Sequence, residues 1–596
     1  MSIVNQNGLK SSLKYSLIAF TLILFGCHTT VLQQNENIEL DRHSQYQEAY
    51  QQSLVSFKNS IVKLQEAAEK GFITTEYDDG LLSFHSIGFL MEYFDNSLYA
   101  LINGAPVYRE DESTPGAQIV SPHGFQVIAE ILADEEIDFK SLNDEILLMQ
   151  HQLDYYNKTI NSTQIDEQSV INAAANLIIR LETLTITDFE NNGEALSKRV
   201  FEVQIKSIHQ YLDHIVSDTL LLELPSILAN YDDKLSLIHY INQYKLIITP
   251  LTSNFLGVSP VNQKAANIYD EHFLEATYFG NSGINKSFQP EKIALGKKLF
   301  NDPLLSHNRS FSCASCHQPN LFFTDGLKLS NSNFTNTSLK RNTPTVIHAS
   351  YQSKYMYDGR SASLEDQMLH VFNNPKEFKS STTDIVKRIK EDSSYVRMFS
   401  ILYHDMVSNA INLNSVTDAL ATYIRSLTAH QSPFDKYMRG EPSNWSLSAQ
   451  NGFNLFMGKA KCGSCHFAPT FSGLAPPFYK ESELENIGVP MMDEKGNWLM
   501  DTDYGRYDFY PNKAFMYFFK TPTLRNIAMT APYMHNGVFN TLEEVMEFYN
   551  NGGGVGHNLS YKNQTLPTDS LGLNESEITD IIQFMESLTD ATIINY

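Results

Sequence analysis

Cys313-Ala314-Ser315-Cys316-His317 and Cys462-Gly463-Ser464-Cys465-His466 are the two stretches on which the reading of this chain turns. Each sets two thiols three residues apart, with a histidine directly after the second. That is the attachment signature of c-type haem: the sulfurs form thioethers with the porphyrin vinyls, and the adjacent histidine stands ready to bind the iron from below. The chain has five cysteines, so these motifs use all but one and leave no pair for a disulfide. A zinc site could be built by pairing the motifs, but each already contains a complete haem set. Two covalently bound haem c groups are therefore expected, with His317 and His466 as proximal iron ligands.

Working outward, a short helix over residues 293–300 leads into the first motif and an amphipathic helix over 448–459 leads into the second. A last helix, 575–588, is expected to pack across the second haem fold. The repetition suggests two cytochrome c-like domains in tandem, at 281–445 and 446–596. Before them, residues 28–280 carry apolar residues at three- and four-residue spacing, as in 46–64, 170–184 and 200–222, which predicts helices. Gly104-Ala105-Pro106 and Ser121-Pro122-His123-Gly124 mark turns. The fold class expected is mainly α: an N-terminal up-and-down bundle of six or seven helices without an evident haem site, a linker at Gly280-Asn281-Ser282-Gly283, then the two haem domains.

A length of 596 residues points to three or four domains. The net charge of -24 argues against nucleic acid or an anionic lipid surface as the main partner, since both repel an acidic protein. Residues 1–27 read as a targeting segment. Lys10 and Lys14 supply the positive region, the apolar run 17–25 is short for a membrane span, and Leu24-Phe25-Gly26-Cys27 resembles a lipoprotein cleavage site. Cys27 is then the lipidated N-terminus. Ordinary signal cleavage nearby is the alternative, and either way the mature protein is expected outside the cytoplasm, facing the periplasm.

Further segments carry a resemblance: Leu295-Gly-Lys-Lys-Leu-Phe300, Arg341-Asn-Thr-Pro-Thr-Val346, Tyr357-Asp-Gly-Arg360, Asn486-Ile-Gly-Val-Pro490, Phe519-Lys-Thr-Pro-Thr-Leu-Arg-Asn526 and Ala531-Pro-Tyr-Met-His-Asn-Gly537. In this order the sequence resembles the bacterial di-haem cytochrome c peroxidases and their relative that matures methylamine dehydrogenase, over roughly residues 293–588. The resemblance implies a peroxidatic first haem, open on its distal face, and a six-coordinate second haem that relays electrons. It also implies a distal glutamine and glutamate ten residues apart, which Gln367 and Glu377 match. Peroxide must lose a proton from one oxygen and gain one on the other before its bond cleaves heterolytically, and a carboxylate beside the iron can carry that proton. A calcium ion between the haems is implied too, held through the Asn342 side chain and the carbonyls of Thr530 and Pro532, oxygen donors that suit a hard cation.

Three departures from the family pattern stand out. Peroxidases of the family carry a blocking histidine after the first haem, yet no histidine lies between His317 and His348; His348 and His307 fall outside that loop, so the first haem is expected to be open without prior reduction. Where the family places tryptophan between the haems, this chain has Tyr357, and its two tryptophans, Trp445 and Trp498, lie elsewhere. In the position of the second haem's distal methionine stands Tyr549, as in the maturation enzyme, with Met546 and Met534 as alternatives. His535 is expected to hydrogen-bond between the haems rather than bind iron.

The leading function is reduction of hydrogen peroxide, with electrons from a small cytochrome c or copper protein passing by way of Tyr357. A protein-modifying oxidase acting on aromatic residues of a partner protein is the alternative that Tyr549 raises. A membrane-tethered electron carrier is a third, but it has no use for Gln367 and Glu377.

Overall fold

Apolar periodicity dictates the first half of the molecule. The helix over residues 42–70 puts Tyr50, Leu54, Phe57, Ile61 and Leu64 on one face, and all are fully buried. The computed structural model describes residues 42–595 except 72, 112–117, 135, 161–162, 189, 192, 254–258, 280–289, 333, 336 and 404–409. The targeting segment with Cys27 and the 280–283 linker lie outside the described residues.

The chain is mainly helical. Between residues 42 and 248 the described residues form ten helices rather than six or seven, because polar caps cut the apolar pattern into shorter pieces. The Asp95 carboxylate accepts from the Leu98 N–H at 2.9 Å and starts Asn96–Asn103, while Asp166 and Asp233 cap Glu167–Thr183 and Lys234–Ile248 in the same way. The single helix expected over 200–222 is two, Glu194–Leu212 and Asp218–Ala229, the second capped by Ser217. A hairpin, Arg109–Asp111 with Gln118–Val120, was not foreseen.

The helix expected before each motif is present, as Pro290–Asn301 and Leu447–Met457. Pro290–Asn301 packs on Leu413–Arg425, and Leu447–Met457 packs on Glu575–Ser587. A glycine sits at each crossing. A Cβ on Gly296 would lie 2.1 Å from the Ala419 carbonyl oxygen, and one on Gly452 would lie 1.9 Å from that of Asp580. Both glycines open the pattern Gly-x-x-Leu-Phe: Gly296, Leu299 and Phe300, then Gly452, Leu455 and Phe456. Backbones can approach this closely only where no Cβ intervenes.

Two buried apolar cores result. The smaller runs from Leu295 to Ala429 with Ile593 added, and holds Phe300, Phe323 and Tyr423. The larger joins the N-terminal helices to residues 434–588. Across that seam the rings of Tyr269 and Phe434 are 5.2 Å apart, those of Phe273 and Tyr479 5.6 Å apart, and the Leu235 N–H donates to Asn454 Oδ1 at 3.2 Å. Inside the N-terminal half Arg180 is buried between Glu92 and Glu190. Among the described residues only the segment Glu167–Thr187 is long and apolar enough to cross a membrane, and it is buried within the protein.

Candidate active site

The two motifs fold alike. Cys313–Ser315 and Cys462–Ser464 are single 3-10 turns, and the N–H groups of His317 and His466 donate to the carbonyls of Cys313 and Cys462 at 2.9 and 3.0 Å. Spacings of three and four residues in a helical turn put both thiols and the imidazole on one side. His317 Nδ1 lies 3.1 Å from the Phe323 carbonyl, and His466 Nδ1 lies 3.2 Å from that of Phe471 and 3.1 Å from that of Pro522. A carbonyl only accepts, so Nδ1 carries the proton and Nε2 keeps its lone pair for a metal. Burial holds both imidazoles neutral, lowering His466 to about 4 and His317 as well. None of the four motif cysteines pairs in a disulfide, which leaves all four sulfurs for attachment. No cluster of three or more His, Cys, Asp or Glu able to hold a metal occurs among the described residues, so the motifs do not join in a zinc site.

A cavity of about 1220 Å³ opens at the second motif, lined by Cys462, Cys465 and His466. It exceeds the roughly 300–1000 Å³ of ordinary small-ligand pockets. Two thiols, a neutral imidazole and largely apolar walls fit a haem tethered there. Tyr549, Met546 and Met534 line the same cavity. Tyr549 and Met546 come from the Leu542–Asn550 helix, which begins where Thr541 Oγ1 accepts from the Glu544 N–H at 3.2 Å. Among the described residues no hydrogen bond holds the Tyr549 hydroxyl, and burial raises its pKa. Met546 is 3% exposed and packs in the larger core. Glu483 and Glu485 also line the cavity, and burial pushes both carboxyls upward.

The cavity continues to Tyr357, Asn342, Thr530 and Pro532, which are thereby brought to one wall. The Tyr357 hydroxyl donates to Asn342 Oδ1 at 3.4 Å, and Asn342 Nδ2 donates to the Leu327 carbonyl at 2.8 Å. The Asn342 N–H donates to the His535 carbonyl at 2.8 Å. The His535 ring stacks on Phe519 at 3.7 Å, and its Nε2 lies 3.0 Å from Asp501 Oδ2. Arg341 fixes this wall by binding Asp503 and Asp358, each at 2.7 Å. Lys520 lines the wall too; burial lowers it to about 8, and Nζ donates to Gln352 Oε1 at 2.7 Å. No motif marks Glu483 or Glu485, and the segment 519–526 contains Lys520 without signalling its burial. Their burial exists only once distant segments pack.

Gln367 and Glu377 belong to the first unit. Ser363 caps Leu364–Asn373, from which Gln367 Nε2 reaches to 3.8 Å from Met356 Sδ. Beyond the helix end, Asn374 Nδ2 donates to Glu377 Oε1 at 2.7 Å. Burial raises the Glu377 carboxyl to about 7 against the pull of Asn374 and Arg360, and its charge is felt by both Cys313 and Cys316. His348 is buried against Tyr351 and His430, with Nε2 accepting from the Ala429 N–H at 3.3 Å, and His307 is exposed.

Residues 290–443 match the model of the di-haem cytochrome c peroxidase family. The methylamine utilization protein MauG of Methylorubrum extorquens is 36% identical over 301 residues, 50% of this chain and 78% of that protein. A cytochrome-c peroxidase of Denitromonas iodatirespirans is 30% identical over 326 residues, 51% of this chain and 83% of its own length. Among solved structures, a MauG-like protein associated with microbial copper homeostasis aligns with 29% identity and a TM-score of 0.45, over 53% of this chain and 97% of its own. The chain belongs to the di-haem cytochrome c peroxidase family, and membership implies two haem c groups. These matches leave the N-terminal half uncovered.

Proposed function

We propose that this protein reduces hydrogen peroxide to water at its first haem, with electrons from a small cytochrome c or copper protein entering at the second. The two cytochrome-type units would stand in tandem at residues 281–445 and 446–596, after a helical region at 28–280. The haem tethered by Cys313, Cys316 and His317 supplies the iron at which the peroxide bond is cleaved. The observation that carries the reading is Glu377, a half-buried carboxyl held by the Asn374 amide at 2.7 Å within electrostatic reach of both first-motif cysteines, and pushed by its burial up to about 7. Such a group takes a proton from one peroxide oxygen and returns it to the other. Gln367 assists as a hydrogen-bonding partner for the bound oxygens. Tyr357, on the wall of the cavity at the second motif, would serve as the aromatic step between the haems. Asn342 Oδ1 with the Thr530 and Pro532 carbonyls supplies hard oxygen donors suited to calcium. Export and a lipid anchor at Cys27 complete this reading.

The test is stopped-flow spectroscopy of the all-ferric protein with peroxide. Wild type should react without prior reduction. Glu377→Gln should slow the reaction by about 10²–10⁴ with haem content unchanged; an unaltered rate would remove the glutamate from the mechanism. A second reading, oxidation of aromatic residues on a partner protein, is favoured by the unbonded Tyr549 hydroxyl facing the second cavity. A long-lived oxidised state spread over both haems and lost in Tyr549→Met would select it. Rapid decay on adding a reduced small cytochrome selects the peroxidase.

A further inference from the structure

The two attachment turns differ in what covers them. At matching positions Ala314 is half-buried where Gly463 is buried, and Ser315 is exposed where Ser464 is half-buried. A Cβ built on Gly463 would stand 3.0 Å from Thr187 Cγ2. Thr187 belongs to the N-terminal half, and it lines the second cavity together with Asp188 and Lys234. These residues are held in place. Thr187 Oγ1 donates to the Leu184 carbonyl at 2.7 Å, the Tyr231 hydroxyl donates to Asp188 Oδ1 at 3.3 Å, and Lys234 Nζ sits 4.0 Å over the Tyr231 ring. From the opposite side Asn454, on the helix leading to the second motif, accepts from the Leu235 N–H at 3.2 Å and donates to Asp233 Oδ1 at 3.4 Å.

We propose that the N-terminal helical region is a fixed wall of the second haem site, with Thr187 covering the attachment turn at Gly463 more closely than the first turn is covered and Asp188, on the same cavity wall, setting the charge environment of that haem. The proposal rests on the two-haem reading above. Thr187 and Asp188 act as positioning residues and touch no reacting oxygen. The acidic side chain of Asp188, half-buried at the cavity wall, favours the oxidised state of the second haem. The same wall keeps a protein partner from that edge, so electron exchange with a partner takes another approach.

The experiment is a spectroelectrochemical titration of the full-length holoprotein, resolving both haems. Asp188 has a φ of 60°, in the left-handed region that asparagine tolerates, so Asp188→Asn keeps the backbone. Thr187→Asp adds a charge and Thr187→Asn controls for shape. At an effective dielectric of about 20, a unit charge on the order of 10 Å from a redox centre changes its reduction equilibrium on the order of tenfold. Asp188→Asn should make the second haem easier to reduce by that factor, and Thr187→Asp harder, with the first haem unmoved. Both shifts should persist in about 1 M salt, which screens exposed charges only. Shifts below about twofold, equal shifts at both haems, or shifts abolished by salt overturn the wall. Haem content distinguishes the two failures: one haem in the wild-type protein sinks the two-haem reading, whereas two haems with unmoved potentials sink the wall alone.

Discussion

On the peroxidase reading, Glu377 would act at neutral pH because its surroundings pull in opposite directions: burial disfavours the carboxylate, while Asn374 and Arg360 favour it. As a base toward peroxide it must be ionised. The rate constant for peroxide, kcat/KM, should therefore rise with pH through about 7 and level off above. Removing the amide donor in Asn374→Ala destabilises the carboxylate, so the same limb should move to higher pH; a limb that stays in place would mean another group controls it. The spacing of Gln367 and Glu377 was legible in the sequence through the family pattern. The titration was not, because it depends on packing against the first motif. For Tyr549 and Met546 the sequence left the second haem's distal ligand open, and both line the cavity. If Tyr549 is that ligand, a tyrosinate absorption should be lost in Tyr549→Phe and kept in Met546→Leu; the reverse pattern would select Met546.

At the scale of elements, the two helix crossings depend on single glycines. Gly296→Ala drives a methyl into the Ala419 carbonyl, and Gly452→Ala drives one into that of Asp580. Overpacking of this kind costs about 1–3 kcal/mol, and here the obstacle is backbone that cannot rotate away. Gly296→Ala should lower the melting temperature of the first unit and Gly452→Ala that of the second, each followed at its own haem band; loss of both together would show the crossings to be coupled. The helices before both motifs were readable from their apolar spacing, and so was the final helix. The number of N-terminal helices was misjudged because Asp95 and Ser217 act as caps inside runs whose hydrophobic period continues through them. The hairpin at Arg109–Asp111 was hidden by its shortness: three residues a side give no alternation to detect.

For the whole molecule the instructive point is where the cores divide. Composition and linker residues suggested a boundary between an N-terminal bundle and a haem half, yet the larger core runs across that boundary and the division falls inside the haem half. Sequence alone could not reveal this, since Tyr269, Phe273, Phe434 and Tyr479 are ordinary aromatics until they meet. Unfolding should accordingly proceed in two steps, one for residues 295–429 and one for the N-terminal helices together with 434–588. Arg180→Ala strands the buried Glu92 and Glu190 without their cation, a change that costs about 3–5 kcal/mol. In calorimetry it should lower the step that also releases the second haem's absorbance and leave the other untouched, although Arg180 lies in sequence far from either motif.

The shared core also bears on how the chain is made. The N-terminal helices cannot complete their packing until Phe434, Phe471 and Phe584, made well after them, are free to fold against them. The stretch in between can close on itself earlier, because its core draws mainly on residues 295–429. For most of its synthesis the N-terminal half therefore carries an unpaired apolar face, and a chaperone that shields this face during that interval would protect the chain when it is most prone to aggregate.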